Sequence, residues 1–197
     1  MGLNDKKNLG TTSNKIRKCS VLIKYIYEKL VNDNEIQRML YYNTINPLSQ
    51  KGKNYNGEII SQPDLSTKDM KGIVFDIPFN PEMDIELSNS LYVNLNNGKF
   101  SSRQNSLYFD INIIVPEDFV NISNGYRHFE IAQRVADIFD DIYIDKEKDK
   151  DYYDYLGALK PILYMMPIYR LSKSNNFIWV NMQFEVELTN NFTRTRC

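Results

Sequence analysis

The stretch that decides the fold is Leu107-Tyr108-Phe109-Asp110-Ile111-Asn112-Ile113-Ile114-Val115, followed by a polar break from Pro116 to Gly125 and then by Tyr126 to Ile142. From Phe109 to Ile113 apolar and polar residues alternate, and the segment closes on an apolar run. A two-residue period belongs to a strand with one face on a core. After the break the period changes. Phe129, Ala132, Val135, Ala136 and Phe139 fall on one side of a helix, with Ile131, Ile138 and Ile142 widening the stripe. Nothing in the break reads as a reaction centre. A strand-loop-helix unit of this kind packs and presents surfaces.

Working towards the C-terminus, Asp145 to Asp151 is a charge run. Leu159 to Tyr169 is apolar but carries Pro161 and Pro167, which predicts an irregular or edge segment. Phe177 to Leu188 alternates again, with Val180, Met182, Phe184, Val186 and Leu188 expected inward. Working towards the N-terminus, Ser90 to Leu95 and Gly72 to Ile77 read as further strands. Asn96-Asn97-Gly98-Lys99 has turn chemistry. Residues 96–106 are therefore expected to be a solvated hairpin tip, carrying Lys99 and Arg103.

The N-terminal third reads as helix. Ser13 or Asn14 supplies a cap, and Ile16, Cys19, Ile23, Ile26, Tyr27 and Leu30 trace one face. Asn32-Asp33-Asn34 interrupts, and Asp33 or Asn34 caps a short second helix carrying Ile36, Met39 and Leu40, which Pro47 is expected to stop. Residues 43–70 are polar and lack a period. That length inside one domain predicts an extended arm or surface loop, with Glu58-Ile59-Ile60 as a short strand. The expected organisation is an N-terminal arm (1–12), a single α+β domain (13–188) with the loop 43–70 and a charged insertion at 143–157, and a C-terminal tail (189–197). One antiparallel or mixed sheet should carry the N-terminal helix and the second long helix on its apolar face.

Composition narrows the function classes. A chain of 197 residues fits one domain with a substantial core. Its 24 basic and 25 acidic side chains nearly cancel, so no global field steers it to nucleic acid or membrane. Its 14 Tyr outnumber its 10 Phe, and Tyr serves wet interfaces because its ring is apolar and its tip polar. There are two Cys and one His. Cys19 lies on an apolar helical face and Cys197 far away in sequence, so no structural disulfide is expected and a reducing compartment fits. No apolar run is long enough for a bilayer, and the N-terminus lacks the apolar centre of a signal peptide. A protein made in the cytoplasm, without a membrane, is expected.

Candidate chemistry is thin. The alternating run Asp145, Glu147, Asp149, Asp151 imitates a calcium loop, but Lys150 stands where Gly is needed and Leu156 where Glu is needed. Asp76, Asp84, Glu86 and Asp110 are the carboxylates a metal-dependent nuclease would use, yet no Glu-x-Lys follows them on a strand. His128 has no Cys or second His beside it, and is expected at the surface, exposed or partly packed. No phosphate-cradling glycine loop exists. Lys15, Arg17, Lys18, Lys24 and Lys29 make the first helix basic on its polar side, which reads first as a solvated face and second as a phosphate contact. No catalytic, cofactor-binding or metal-ligating residue is assigned, and no cofactor or enzymatic turnover is expected.

Arg38-Met39-Leu40-Tyr41-Tyr42-Asn43-Thr44-Ile45-Asn46-Pro47-Leu48, Asp110 to Val115, and the helix opening Tyr126-Arg127-His128-Phe129-Glu130-Ile131-Ala132 together resemble the tail-completion proteins of tailed bacteriophages. These are the tail terminators and related neck or head-tail joining proteins. In that family a long strand commonly precedes a helix whose first turn carries an Arg, here Arg127. The resemblance implies a tail-terminator-like fold and a homo-oligomeric ring, often a hexamer. Such a ring ends the tail tube, meets tube, sheath and neck or connector proteins, and lets viral DNA pass without reading its sequence. It implies a virion protein assembled in the host cytoplasm. Tyr41, Tyr42, Asn46, Pro47, Lys99, Arg103 and Arg127 become the candidate interface residues. The alternatives are a small metal-dependent nuclease, or a neck adaptor or stopper on the portal side.

Overall fold

A computed structural model describes residues 12–80, 88–100, 105–140, 152, 156, 161–172 and 176–187. In chain order the elements are α1 (Thr12–Val31), α2 (Asn34–Tyr41), β1 (Lys51–Lys53), β2 (Ile59–Ser61), β3 (Val74–Phe75), β4 (Ser90–Phe100), β5 (Asn105–Pro116), a 3₁₀ turn (Glu117–Phe119), β6 (Asn121–Ile122), β7 (Gly125–Tyr126), α3 (Arg127–Asp140), β8 (Pro161–Met165), β9 (Ile168–Ser172) and β10 (Asn176–Glu187). The main sheet runs β3-β4-β5-β10-β8, with β9 also on β10. All its pairs are antiparallel except β3 with β4. The class is α+β with a mixed sheet, as expected.

The alternation of β5 and β10 fixes the register. Phe109, Ile111, Ile113 and Val115 face the helices, and Phe184, Met182, Val180 and Ile178 stand opposite them. The helix layer covers that face, with α1 over β3 and β4 and α3 over β5, β10 and β8. The centre is an aromatic knot. Phe109 stacks on Phe184 with ring centroids 5.1 Å apart, and Phe139 closes edge-on at 4.8 Å from Phe184 and 5.8 Å from Phe109. The other face of the sheet holds a smaller cluster of Tyr92, Ile114 and Phe177, with Phe75, Phe79 and Trp179 against it.

Several expectations need correction. The short helix ends at Tyr41, where Tyr42 turns extended, so Pro47 does not stop it. Asp33 caps it as expected, its carboxylate accepting from Ile36 N at 2.9 Å. The strand expected over 72–77 shrinks to Val74–Phe75. Asn96 to Lys99 are not a turn: β4 continues to Phe100 and pairs with β5 through a bulge between Leu95 and Asn97. The bulge takes up the extra residue, so ladder bonds outweigh turn preference. Ile16 and Phe129 are exposed rather than core residues. Residues 161–172 are ordered edge strands, which bears out the edge reading and not the irregular one. Residues 1–11, 141–151 and 188–197, together with Asp84, Glu86 and Arg103, lie outside the described residues.

Candidate assembly surfaces

Residues 44–64 fold back as a β1–β2 hairpin lashed to the domain, not as a free extended arm. Two buried arginines do the lashing. Arg127, the first residue of α3, is fully buried. Its Nε donates to Phe119 O at 2.8 Å. Nη1 donates to Met39 O at 2.5 Å and Tyr42 O at 2.9 Å, and Nη2 to Thr44 O at 2.6 Å and Tyr55 Oη at 3.4 Å. All five guanidinium N–H groups are thus used. Carbonyls at the C-terminal end of a helix lack partners and carry partial negative charge, and Arg127 caps the end of α2 from outside. Burial pulls its pKa below the usual value, while the hydrogen bond from Arg127 to Tyr55 pushes the other way.

Arg38 works at the feet of the hairpin. Nη2 donates to Ser49 O, and Nη1 lies 3.1 Å from Gln62 O, 3.4 Å from Pro63 O and 3.4 Å from the Asp64 carboxylate. The guanidinium sits over the Tyr42 ring, and Tyr42 Oη donates to Pro63 O at 2.6 Å. Between the feet, Gln62 is fully buried. Its amide nitrogen reaches Pro47 O at 2.9 Å and Ser49 O at 2.8 Å, and its oxygen accepts from Thr44 Oγ1 at 2.7 Å. This polar plug explains Gly52: a Cβ there would lie 1.5 Å from Gln62 Oε1. At the tip, Tyr55 Oη lies 2.8 Å from Asn121 O and 3.0 Å from Phe119 O and donates to one at a time. Ser123 N and Oγ both donate to Ile45 O.

The candidate interface residues now divide. Arg127, Tyr42 and Pro47 are buried in their own chain, so their side chains cannot be contact points as expected. Asn46 works inside the hairpin, donating to Lys51 O and accepting from Lys53 N. Tyr41 is exposed, beside Tyr42. Lys99 is exposed too, but on the far β4–β5 hairpin. A cleft of about 220 Å³ opens between the hairpin and the β6–β7 turn, lined by Met39, Ile45, Pro47, Leu48, Ile122 and Glu130 among others.

The residues weighed for chemistry are dispersed. Asp76 is exposed, whereas Asp110 is buried on the face of the sheet away from the helices. Burial holds the Asp110 carboxyl above its ordinary range, against the hydrogen bond that Asn96 Nδ2 gives it at 3.3 Å. His128 is buried rather than at the surface, packed between Tyr126 and Phe129, with its pKa pushed down by burial and Nδ1 unpartnered. Cys19 is half-buried, and burial raises its thiol pKa. Among the described residues, no three His, Cys, Asp or Glu side chains gather as metal ligands would. On α1, Lys24 pairs with Glu28 at 3.7 Å and Lys29 lies over the Tyr25 ring, as a solvated helix face would.

The model of the YomW family matches residues 33–186, more than three quarters of the chain. The chain belongs to the YomW family. That family is derived from Bacillus phage. The matched range opens on Asp33, the cap of α2, and closes within β10, so it spans the arginine-clamped hairpin and the whole sheet but leaves out α1. No curated protein matches the chain.

Two features escaped the sequence reading. Arg38 and Gln62 looked like ordinary polar residues, and only the folded hairpin gives them carbonyl partners. The other is the outer strand. From Pro161 to Tyr169 there is no charged residue, and every large apolar side chain between Ile162 and Tyr169 is substantially exposed. That uncharged run is legible in the sequence, and its exposure is not.

Proposed function

We propose that this protein is a structural virion protein of a tailed bacteriophage, forming a ring at the neck end of the tail. The ring stops growth of the tail tube and joins tail to head. It contacts tube, sheath and connector proteins, and DNA passes through it without sequence-specific contacts. Membership of a phage-derived family supports the setting. The observation that carries the assembly reading is the apolar surface that the described residues leave exposed, at Leu48 and Ile59 on the hairpin as well as along the outer strand of the sheet. Exposed apolar patches of that extent mark protein contacts. The near-neutral charge suits a subunit that neither grips nor strongly repels passing DNA. On this reading the protein is no enzyme and needs no cofactor.

The test is electron microscopy of the purified protein and of particles made without it. Rings, together with tails of uncontrolled length or tails detached from heads, are expected. Normal joined particles without the protein would sink the reading, and DNA cleavage that depends on a divalent metal and is lost in Asp76→Asn or Asp110→Asn would favour the nuclease.

A further inference from the structure

Among the described residues, one side of the main sheet ends in a strand that is open, apolar and, from Pro161 to Tyr169, uncharged. β8 and β9 act as one interrupted outer strand, β8 pairing with residues 183–186 of β10 and β9 with residues 176–180. Ile162 through Met166, then Ile168 and Tyr169, are each between 38% and 58% exposed. Sheet edges are usually blunted with charges or outward prolines. Here the first charge after Pro161 is Arg170, which is engaged with Glu117. Pro167 does not guard the open side either. Its carbonyl accepts from Asn181 N at 3.0 Å, and in a strand a residue's N and O point the same way, so its missing donor faces β10.

The size of the surface narrows its occupant. Seven side chains left nearly half exposed, at about 150 to 250 Å² for the aromatic ones, present on the order of 600 Å² in all, divided between the two faces of the sheet, with Leu163 and Ile168 on the helix side and Ile162 and Tyr169 on the other. A strand added at the edge would cover both faces at once, and the sum is close to the roughly 800 Å² per partner of a stable interface. The opposite edge of the sheet is a poor mate. β3 covers only Leu91 and Tyr92 of β4, and the rest of β4 offers Asn94, Asn96, Asn97 and Lys99. Laying the apolar row there would bury amides and an ammonium without partners. Among the described residues, the matching uncharged strand is the same one on another molecule.

We propose that the β8–β9 edge pairs antiparallel with the β8–β9 edge of a second copy of this chain, across a two-fold axis. Each apolar contact is then made twice, and main-chain hydrogen bonds continue the sheet from one copy into the next. The pairing goes beyond the ring reading, because a head-to-tail ring needs other surfaces and the two-fold contact does not depend on ring order.

The test uses the full chain. Mass in solution is measured by light scattering over a wide concentration range for the wild type, for Tyr164→Lys and Met165→Lys on the edge, and for Ile59→Lys as a control on the exposed hairpin. Circular dichroism checks that each variant folds. The wild type and the control should dimerise. The edge variants should raise the apparent Kd by about a hundredfold or more, since each dimer would bury two unpaired ammonium groups. Independently, Leu163→Cys, Met165→Cys and Ile168→Cys, each in a Cys19→Ser, Cys197→Ser background, are oxidised mildly. The position nearest the axis should give a disulfide-linked dimer and the others should not, because bridging needs Cα atoms within about 7 Å. A wild type that stays monomeric, or edge variants with wild-type mass, would overturn the pairing. Edge variants that lose the dimer yet still form rings would support both the pairing and the ring reading, whereas wild-type two-fold dimers without rings would support the pairing and count against the ring.

Discussion

Arg127 offers the sharpest test of how this fold is held, because replacing it tests one side chain against five acceptors. In Arg127→Ala the carbonyls of Met39 and Thr44, both on buried residues, lose their donor together, and Tyr42 O is left with Thr44 N alone. An orphaned buried acceptor costs about 1 to 3 kcal/mol. Against this, the variant no longer buries a guanidinium, which recovers several kcal/mol of desolvation. We expect a net loss of about 3 to 5 kcal/mol, a large part of the roughly 5 to 15 kcal/mol by which domains are stable. Arg127→Lys keeps the charge but has three donors and no planar fork, so about half that loss is expected. Urea unfolding gives the magnitude. Amide exchange gives the place: protection should fall first in residues 44–62 and at the end of α2, while β5 and β10 hold. A loss under about 1 kcal/mol, with unchanged exchange over 44–62, would refute the clamp.

Three further outcomes follow from other parts of the structure. Phe139→Ala removes the ring that closes on Phe109 and Phe184, and should cost about 3 to 5 kcal/mol by thermal or urea unfolding; wild-type stability would mean the α3 stripe is not packed. Gly52→Ala should cost about 1 to 3 kcal/mol by overpacking, with the loss appearing as faster exchange in the hairpin because its Cβ displaces the Gln62 amide; unchanged stability would show that the plug is loose. Asp110 has a folded pKa raised by burial, so its stabilising contribution is full below its unfolded pKa and is lost as pH rises through the folded one. Asp110→Asn should therefore be more stable than the wild type near neutral pH, with the gap closing in acid; a gap that is constant from acid to neutral would remove the titration from the account.

What could be read from the sequence was whatever a period carries. The alternation of β5 and β10 and the stripes of α1 and α3 repeat a signal over ten or more residues, so burial on one face was legible. Chemistry at single positions was not. Phe129 looked like core because it is apolar, and Arg127 looked like surface because it is charged, yet the fold reverses them. A cation at the start of a helix opposes that helix's own dipole. Its reason lies at the end of a different helix, α2, 88 residues earlier for the Met39 contact. Asn96 to Lys99 differ for a related reason: turn preference is local, whereas the partner strand supplies ladder bonds through Phe100. The same blindness to partners let residues 43–70 look like a free arm, since the donors that order them come from α2 and α3.

That correction changes what the segment could do in an assembly. A disordered arm that folds on contact must recover its ordering entropy from the partner, about 1 to 2 kcal/mol for each backbone residue fixed. Here Arg38, Gln62, Tyr55 and Arg127 have already ordered the hairpin within one chain. A neighbour meeting Leu48 or Ile59, which stay exposed on it, would meet a preformed surface and keep nearly all of the contact energy. Removing residues 49–66 would also strip Arg38 of Ser49 O, Gln62 O, Pro63 O and the Asp64 carboxylate, and leave its cation against the Tyr42 ring without those acceptors. A failed assembly after that deletion would report lost stability as much as lost contact. Substitutions at Leu48 and Ile59, which leave the hydrogen bonds of both arginines in place, isolate the surface from the clamp beneath it.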